Sequence, residues 1–347
     1  MTQAPSVGKQ STTGAAGPID ISPSTPEIDG PEERTGLQLP GRKALLRGAL
    51  VVVVVFLVAE GAVIYGIGPL VHARDQRSLM ATERADIAAA AVEAKALDHV
   101  NLPTQPPVPG EPVGVLAIPA LGVDQAVVEG VGSSQTVSGP GHVPGTAGLG
   151  QPGNAAVVGR NAAYGGVFGR LDQLEPGDRI LTATIEGQSI YVVRHVARIT
   201  LGSPTTPVSA TGSSAAGSTP AGSTPAVTLS ALYRPTTDNR ITLVTSASAA
   251  PWNSSRAIEV TAVLRGKPYR PLPQEARSPG QQGNTGDSSA WGELTLAMQA
   301  LVIVAVGGLF LYRRCTVRSA YLLSTAPLVA CTVLAAEATG RLLPAWM

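Results

Sequence analysis

The chain has no cysteine before residue 315. Its two cysteines, Cys315 and Cys331, both fall in a C-terminal apolar region. The stretch between the apolar segments therefore offers no disulfide framework, no thiolate metal site and no thiol nucleophile. Charge of one sign is also missing. With 25 basic and 24 acidic residues the net charge is +1, which excludes a global field drawing in nucleic acid or an acidic partner. Residues 1–41 contain almost nothing that could build a core. They are rich in Ser, Thr, Pro and Gly, cannot offset their ordering entropy, and are expected to form a disordered tail. A signal peptide is excluded because the first apolar run starts too late and is too long. The glycines of "GPGHVPGTAGLG" are not followed by a lysine at phosphate-loop spacing. No cofactor and no metal is expected.

What is present is lipid-soluble sequence at both ends of a turn-rich middle. "GALVVVVVFLVAEGAVIYGIGPL" is long enough to cross a bilayer, for which roughly 20 residues suffice. Arg42, Lys43 and Arg47 precede it and place the tail in the cytoplasm. The expected organisation is a tail over 1–41, a first transmembrane helix over 42–71, and an exposed, extracellular helical stalk with a Pro-rich spacer over 72–112. A β domain over 113–266 and a polar linker over 267–291 follow. A second transmembrane helix over 292–312, a cytoplasmic loop over 313–319 carrying Arg313, Arg314 and Arg318, and a third span over 320–340 interrupted by Pro327 complete it. Glu60 in the first span and Glu337 at the outer end of the third are ionisable groups at membrane depth, which makes them functional candidates. The simpler reading packs Glu60 against another helix.

The middle region consists of short runs such as "VGVLAIPALGV", "NAAVVGR", "DRILTATIEG", "QSIYVVRHVARIT" and "RAIEVTAVLRG". Their Val, Ile, Thr and Tyr fall at near-alternating positions, which predicts strands. Glu186-Gly187 marks a hairpin turn, and "GGVFGRLDQLEPGD" alone has helical character. The expected fold class is mainly β, a closed barrel of 6–8 strands on the extracellular side, flanked by transmembrane helices. The segment 202–228 is a low-complexity insert with the tandem repeat "AGSTP-AGSTP".

Here a resemblance becomes specific. "LAIPALGVDQAVVEGV" is similar to the opening of a sortase domain. "SGPGHVPGTAGLGQPGNAAVVG" and "YGGVFGRLDQLEPGDRI" resemble stretches of actinobacterial class E sortases, and "RITLVTS" resembles their R-L-T-L-x-T-C strand except at its last residue. The resemblance implies a membrane-bound barrel that cuts a sorting signal with a cysteine and passes the acyl group to an amine. In that family a histidine is acid and base, and an arginine holds the oxyanion or the substrate. Carried over by position, the cysteine becomes Ser246 and the histidine becomes Arg160, while the arginine is retained as Arg256.

Serine needs a base to become a nucleophile, and a guanidinium cannot be one at working pH. If Arg160, Ser246 and Arg256 converge, they form an anion-holding site without a base. His142 reads as a loop contact and His195 as an ordinary strand-face residue. His72 and His99 belong to the stalk, and Asp172, Glu175 and Asp178 cap or solvate a turn. The calcium dependence of some sortases has no acidic cluster here to support it. The leading expectation is a membrane-anchored pseudoenzyme that binds or organises a sorting-signal peptide or a cell-surface protein. The alternatives are a serine-dependent acyl transferase or hydrolase using Ser246, and a passive spacer with function in the spans around Glu60.

Overall fold

The computed structural model describes residues 54, 56–97, 102–202, 227–248, 250, 255–276, 281–314 and 317–347. The tail, the start of the first span, His99, most of the insert 202–228 and Cys315 lie outside the described residues.

Among the described residues, eight strands form: β1 (Pro112–Ile118), β2 (Val123–Glu129), β3 (Gly141–His142), β4 (Asn154–Val158), β5 (Arg179–Thr184), β6 (Gly187–Thr200), β7 (Arg240–Ser246) and β8 (Arg256–Arg265). They close into one barrel in the order β1-β2-β3-β4-β7-β8-β6-β5. In β1 and β5 alternate residues turn inward, so Leu116, Ile118 and Ile180 join Tyr191 and Val260 in the barrel interior. β4 and β7 are instead buried along nearly their whole length, polar Asn154, Thr242, Thr245 and Ser246 included, because both of their faces are covered. Their inward residues Val157, Ile241 and Leu243 fill the barrel. The outward ones, Ala156, Val158 and Val244, belong to a second cluster with Leu229, Tyr233 and Trp346 on the outer wall.

The β5–β6 hairpin turns at Ile185–Glu186, one residue before the expected Glu186-Gly187. Gly187 opens β6 at φ +138, and a Cβ there would lie 2.3 Å from the Tyr269 hydroxyl, so only glycine fits. The 3₁₀ turn Leu171–Gln173 falls where helical character was expected, and a second, Ala163–Gly165, begins just before that stretch. The short helices α2 (Ser133–Ser138) and α3 (Leu229–Leu232) were not anticipated, because "SSQTVS" and "LSAL" are too short to show a 3.6-residue period.

Among the described residues, three helices are long and apolar enough to cross a membrane, within Phe56–Lys95, Ala290–Gly308 and Tyr321–Leu342. The first runs through a π-helical stretch, Val63–Ile67, into α1 (Gly68–Leu97). The other two, α4 (Ala290–Arg314) and α5 (Val317–Leu342), form a hairpin. α5 continues through Pro327 rather than breaking there, as neighbouring helices allow in such segments. At the barrel end of this hairpin Arg341 pairs with Glu293 at 2.9 Å and with Glu337 at 3.1 Å.

The polar half of α1 is not the exposed stalk its composition suggests; it is docked on the barrel. His72 Nδ1 and Nε2 bond the Val137 carbonyl at 2.8 Å and the Gln125 side chain at 3.0 Å. Because β3 is only two residues long, β2 keeps an open edge at Ala126. Gln76 closes that edge as a strand would. Its amide donates to the carbonyls of Ala126 (3.1 Å) and Ser138 (2.7 Å) and accepts from the Ala126 N–H (2.8 Å). Gln76→Leu strands buried backbone groups and is expected to destabilise the protein by about 2–3 kcal/mol, read by pulse proteolysis of the full chain in detergent.

Candidate functional site

The parallel pairing of β4 and β7 runs from Asn154 beside Arg240 to Val158 beside Val244. The Gly159 N–H extends it by donating to the Val244 carbonyl at 3.1 Å, and Thr245 Oγ1 donates to the Gly159 carbonyl at 2.8 Å. Arg160 therefore leaves β4 level with Ser246 at the end of β7. Gly159 has no room for a side chain, since a Cβ would meet the Phe168 ring at 2.4 Å.

Ser246 is fully buried. Its hydroxyl donates to the Ser248 carbonyl at 2.8 Å and accepts the Ser248 N–H at 3.1 Å, a closed local turn that occupies its proton. Its own carbonyl accepts from the Asn161 side-chain amide. Arg160 is 1% exposed and its head turns away from the serine. Nη2 donates to the Ser133 carbonyl (3.0 Å), the Ser133 hydroxyl (2.9 Å) and the Gly340 carbonyl (3.4 Å). The guanidinium carbon stands 4.9 Å from the centre of the Tyr164 ring, while Nε and Nη1 have no partner. Burial brings the guanidinium down to about 10, still protonated at neutral pH and unable to take a proton from serine.

Arg256 does not join them. Ala257, not Arg256, is the β8 partner of Ser246, and Arg256 lies exposed opposite Thr200. The structure thus brings Arg160 and Ser246 to one level of the barrel wall and leaves Arg256 outside. No hydrogen bond joins Arg160 to Ser246 among the described residues.

Other candidate bases are committed elsewhere. Both nitrogens of buried His142 donate, Nδ1 to Glu129 at 2.8 Å and Nε2 to the Ala147 carbonyl at 2.9 Å. Burial pulls this imidazole down, but the Glu129 carboxylate and the Ala147 carbonyl outweigh it and hold it above its ordinary value of 6.5. His195 is exposed on β6 beside a register shift. Asp172 pairs with Arg198 at 2.6 Å, and Asp178 caps the Glu175 N–H at 2.9 Å. Glu60 is buried in the first apolar helix.

The covering of the site was not legible in the sequence. Residues beyond α5 fold back onto the outer wall of the barrel over β4, β7 and β8. Trp346 and Met347 are buried there against Val158, Val244, Ala257, Ile199, Leu229 and Tyr233. The Trp346 carbonyl accepts from the N–H groups of Asn161 (3.0 Å) and Ser246 (3.4 Å) and from Thr245 Oγ1 (3.3 Å). The site's free backbone donors are therefore engaged by the chain itself.

The sortase-domain family model matches residues 116–263. No curated protein matches the chain. Among solved structures, a Clostridium perfringens sortase D5 transpeptidase matches at 17% identity and TM-score 0.40, covering 56% of this chain and 99% of that one. Sortase E from Streptomyces avermitilis matches at 25% identity and TM-score 0.34, over 46% and 91% of the two chains. Listeria monocytogenes sortase A matches at 19% and 0.35, over 47% and 91%.

The raised His142 contributes stability in full below pH 6.5 and loses it as pH rises through the higher folded value. The stability difference between the native chain and His142→Gln is expected to shrink above that pH, measured by denaturation across a pH series. Trp346→Ala is expected to cost about 3 kcal/mol, the loss usual for a buried aromatic, read by thermal unfolding.

Proposed function

We propose, from the match of the sortase-domain family model to residues 116–263, that the protein is a membrane-anchored sortase-like pseudoenzyme that binds or organises peptides or proteins at the cell surface. One observation carries this reading. The residue in the position of the family base is a buried guanidinium bonded to Ser133, and the serine in the position of the nucleophile spends its proton on its own turn. Acyl transfer requires Ser246 Oγ to lose that proton to a base as it attacks a carbonyl, and none is within reach among the described residues. The oxyanion of such an attack would also need free N–H donors, and those of Asn161 and Ser246 are engaged by Trp346.

An extracellular barrel is supported by the basic residues that flank the apolar runs, Arg42, Lys43 and Arg47 before the first and Arg313, Arg314 and Arg318 after the second. On this reading the wall over β4 and β7 is a peptide-binding surface, with residues 343–347 as its resident occupant. A partner peptide would take the same apolar surface and the same donors, and so would have to displace Trp346 and Met347.

The purified full chain is expected to show no cleavage of sorting-signal peptides and no labelling of Ser246 by a fluorophosphonate. Ser246→Cys is expected to gain thiol labelling at that position only when combined with Trp346→Ala, which opens the wall, and still no turnover while Arg160 stands in the base position. Turnover by the native chain that disappears in Ser246→Ala would overturn the proposal in favour of a serine transferase.

A further inference from the structure

A cavity of about 500 Å³ opens at the end of the barrel away from Ser246, where β1 begins, β2 ends and β5 turns into β6. That volume lies in the range of small-molecule sites. Its lining holds five carboxylates, Glu83 and Asp86 from α1 and Glu111, Glu129 and Glu186 from the barrel. Among the described residues, no lysine or arginine lines it. His142 is the single cationic group, and its Nδ1–H is already spent on Glu129 Oε2.

Two acceptor atoms in this lining are buried without a partner, Oε1 of Glu129, whose side chain is 1% exposed, and Oε1 of Gln274. A buried acceptor left without a donor costs about 1–3 kcal/mol, and more when charged. The carboxylates show the same shortage of positive charge. Burial, with repulsion from Asp86, pushes Glu83 up to about 7, and burial raises Glu186 despite a 2.8 Å bond from Gln151. The remaining walls combine the apolar Pro106, Pro107, Val113, Leu149 and Leu272 with the neutral side chains of Gln105, Gln151 and Thr184. No group of three acidic, histidine or cysteine side chains among the described residues has the geometry to hold a metal ion. The missing partner is therefore a donor-rich organic cation with an apolar stem.

We propose that this cavity is a binding site for an alkylammonium or alkylguanidinium group, held by Glu129 Oε1, Gln274 Oε1, Glu186 and Glu83. The two sources of that chemistry are a free diamine and the side chain of a lysine in a peptide. The site is independent of Ser246 and of the pseudoenzyme reading.

Isothermal titration of the full chain in detergent tests it, with cadaverine, a blocked single-lysine peptide and uncharged 1,5-pentanediol as probes. Cadaverine or the peptide is expected to bind and the diol is not. The tighter of the two cations identifies the source, and either order supports the site. Glu83→Gln/Glu186→Gln is expected to weaken binding by about tenfold or more, since each 1.4 kcal/mol is a factor of ten. Binding is expected to fall as salt is raised. Glu111→Gln, on the exposed rim, supplies a second variant with a milder loss should the double variant fail to fold. The proposal is overturned if neither cation binds at millimolar concentration, if the diol binds equally, if the folded variants bind unchanged, or if calcium replaces the amine with the same residue dependence.

Discussion

The burial of the Arg160 guanidinium is the constraint around which this end of the molecule is arranged. Removing a cation from water costs several kcal/mol unless hydrogen bonds and opposite charge offset it, and no carboxylate bonds Arg160. What offsets the cost is the Ser133 hydroxyl and carbonyl, the Gly340 carbonyl and the face of Tyr164. Each of these imposes a further demand. Tyr164 takes a left-handed conformation at φ 52, followed by Gly165 and Gly166 with positive φ of their own. Gly340 must lack a side chain, because a Cβ there would overlap the Tyr164 hydroxyl. Ser133 must open a helix close enough to α5 for its hydroxyl also to approach the Gly340 and Leu343 carbonyls. The arginine thus ties α2, the Tyr164 turn and the end of α5 together.

That tie determines what happens to the residues after α5. With Gly340 and Leu343 held at Ser133, the next few residues reach only the wall over β4 and β7. Trp346 is buried there at the cost of an unpartnered indole N–H, so apolar burial outweighs a missing hydrogen bond at this position. Its carbonyl has the better arrangement, with three donors converging on it. The burial of Arg160 and the closure of the wall are therefore parts of one packing solution, since the group that anchors the closing segment is the group that leaves β4 level with Ser246.

The barrel was legible because it is local. Alternation, β-branched content and turn residues identify β1, β2, β5, β6 and β8, and the continuous runs at β4 and β7 follow from burial on two faces. The motifs that flank Arg160 and Ser246 pointed to convergence, and the structure sets the two at one level of the wall with their polar atoms bonded elsewhere. Three features were not legible. Arg256 was expected beside Ser246, but a one-residue offset in β8 register puts Ala257 there, and register is invisible without a partner strand. The docking of α1 rests on His72 and Gln76, polar residues that read as solvent-facing until β2 is seen to lack a neighbour. The closure by Trp346 joins residues about a hundred positions apart through a carbonyl, a group every residue carries and no sequence pattern marks.

The two ends of the barrel carry opposite electrostatic problems, and α1 touches both. Near its start a Cβ on Gly68 would lie 3.0 Å from the Tyr164 ring that supports Arg160. Four turns on, Glu83 lines the acidic cavity. Between them His72 and Gln76 fix the helix to β2 and to the loop after α2. The cavity exists in its present shape only while α1 is docked, because Glu83 and Asp86 are two of its walls. A ligand that binds the docked form alone stabilises docking by RT ln(1 + [L]/Kd), and docking in turn stabilises the ligand by the same amount. The coupling is mutual whether or not Ser246 has any chemistry. A cation taken up at the open end therefore tightens the helix that runs from the first apolar segment to the barrel, where the ring over Arg160 packs against the start of the same helix.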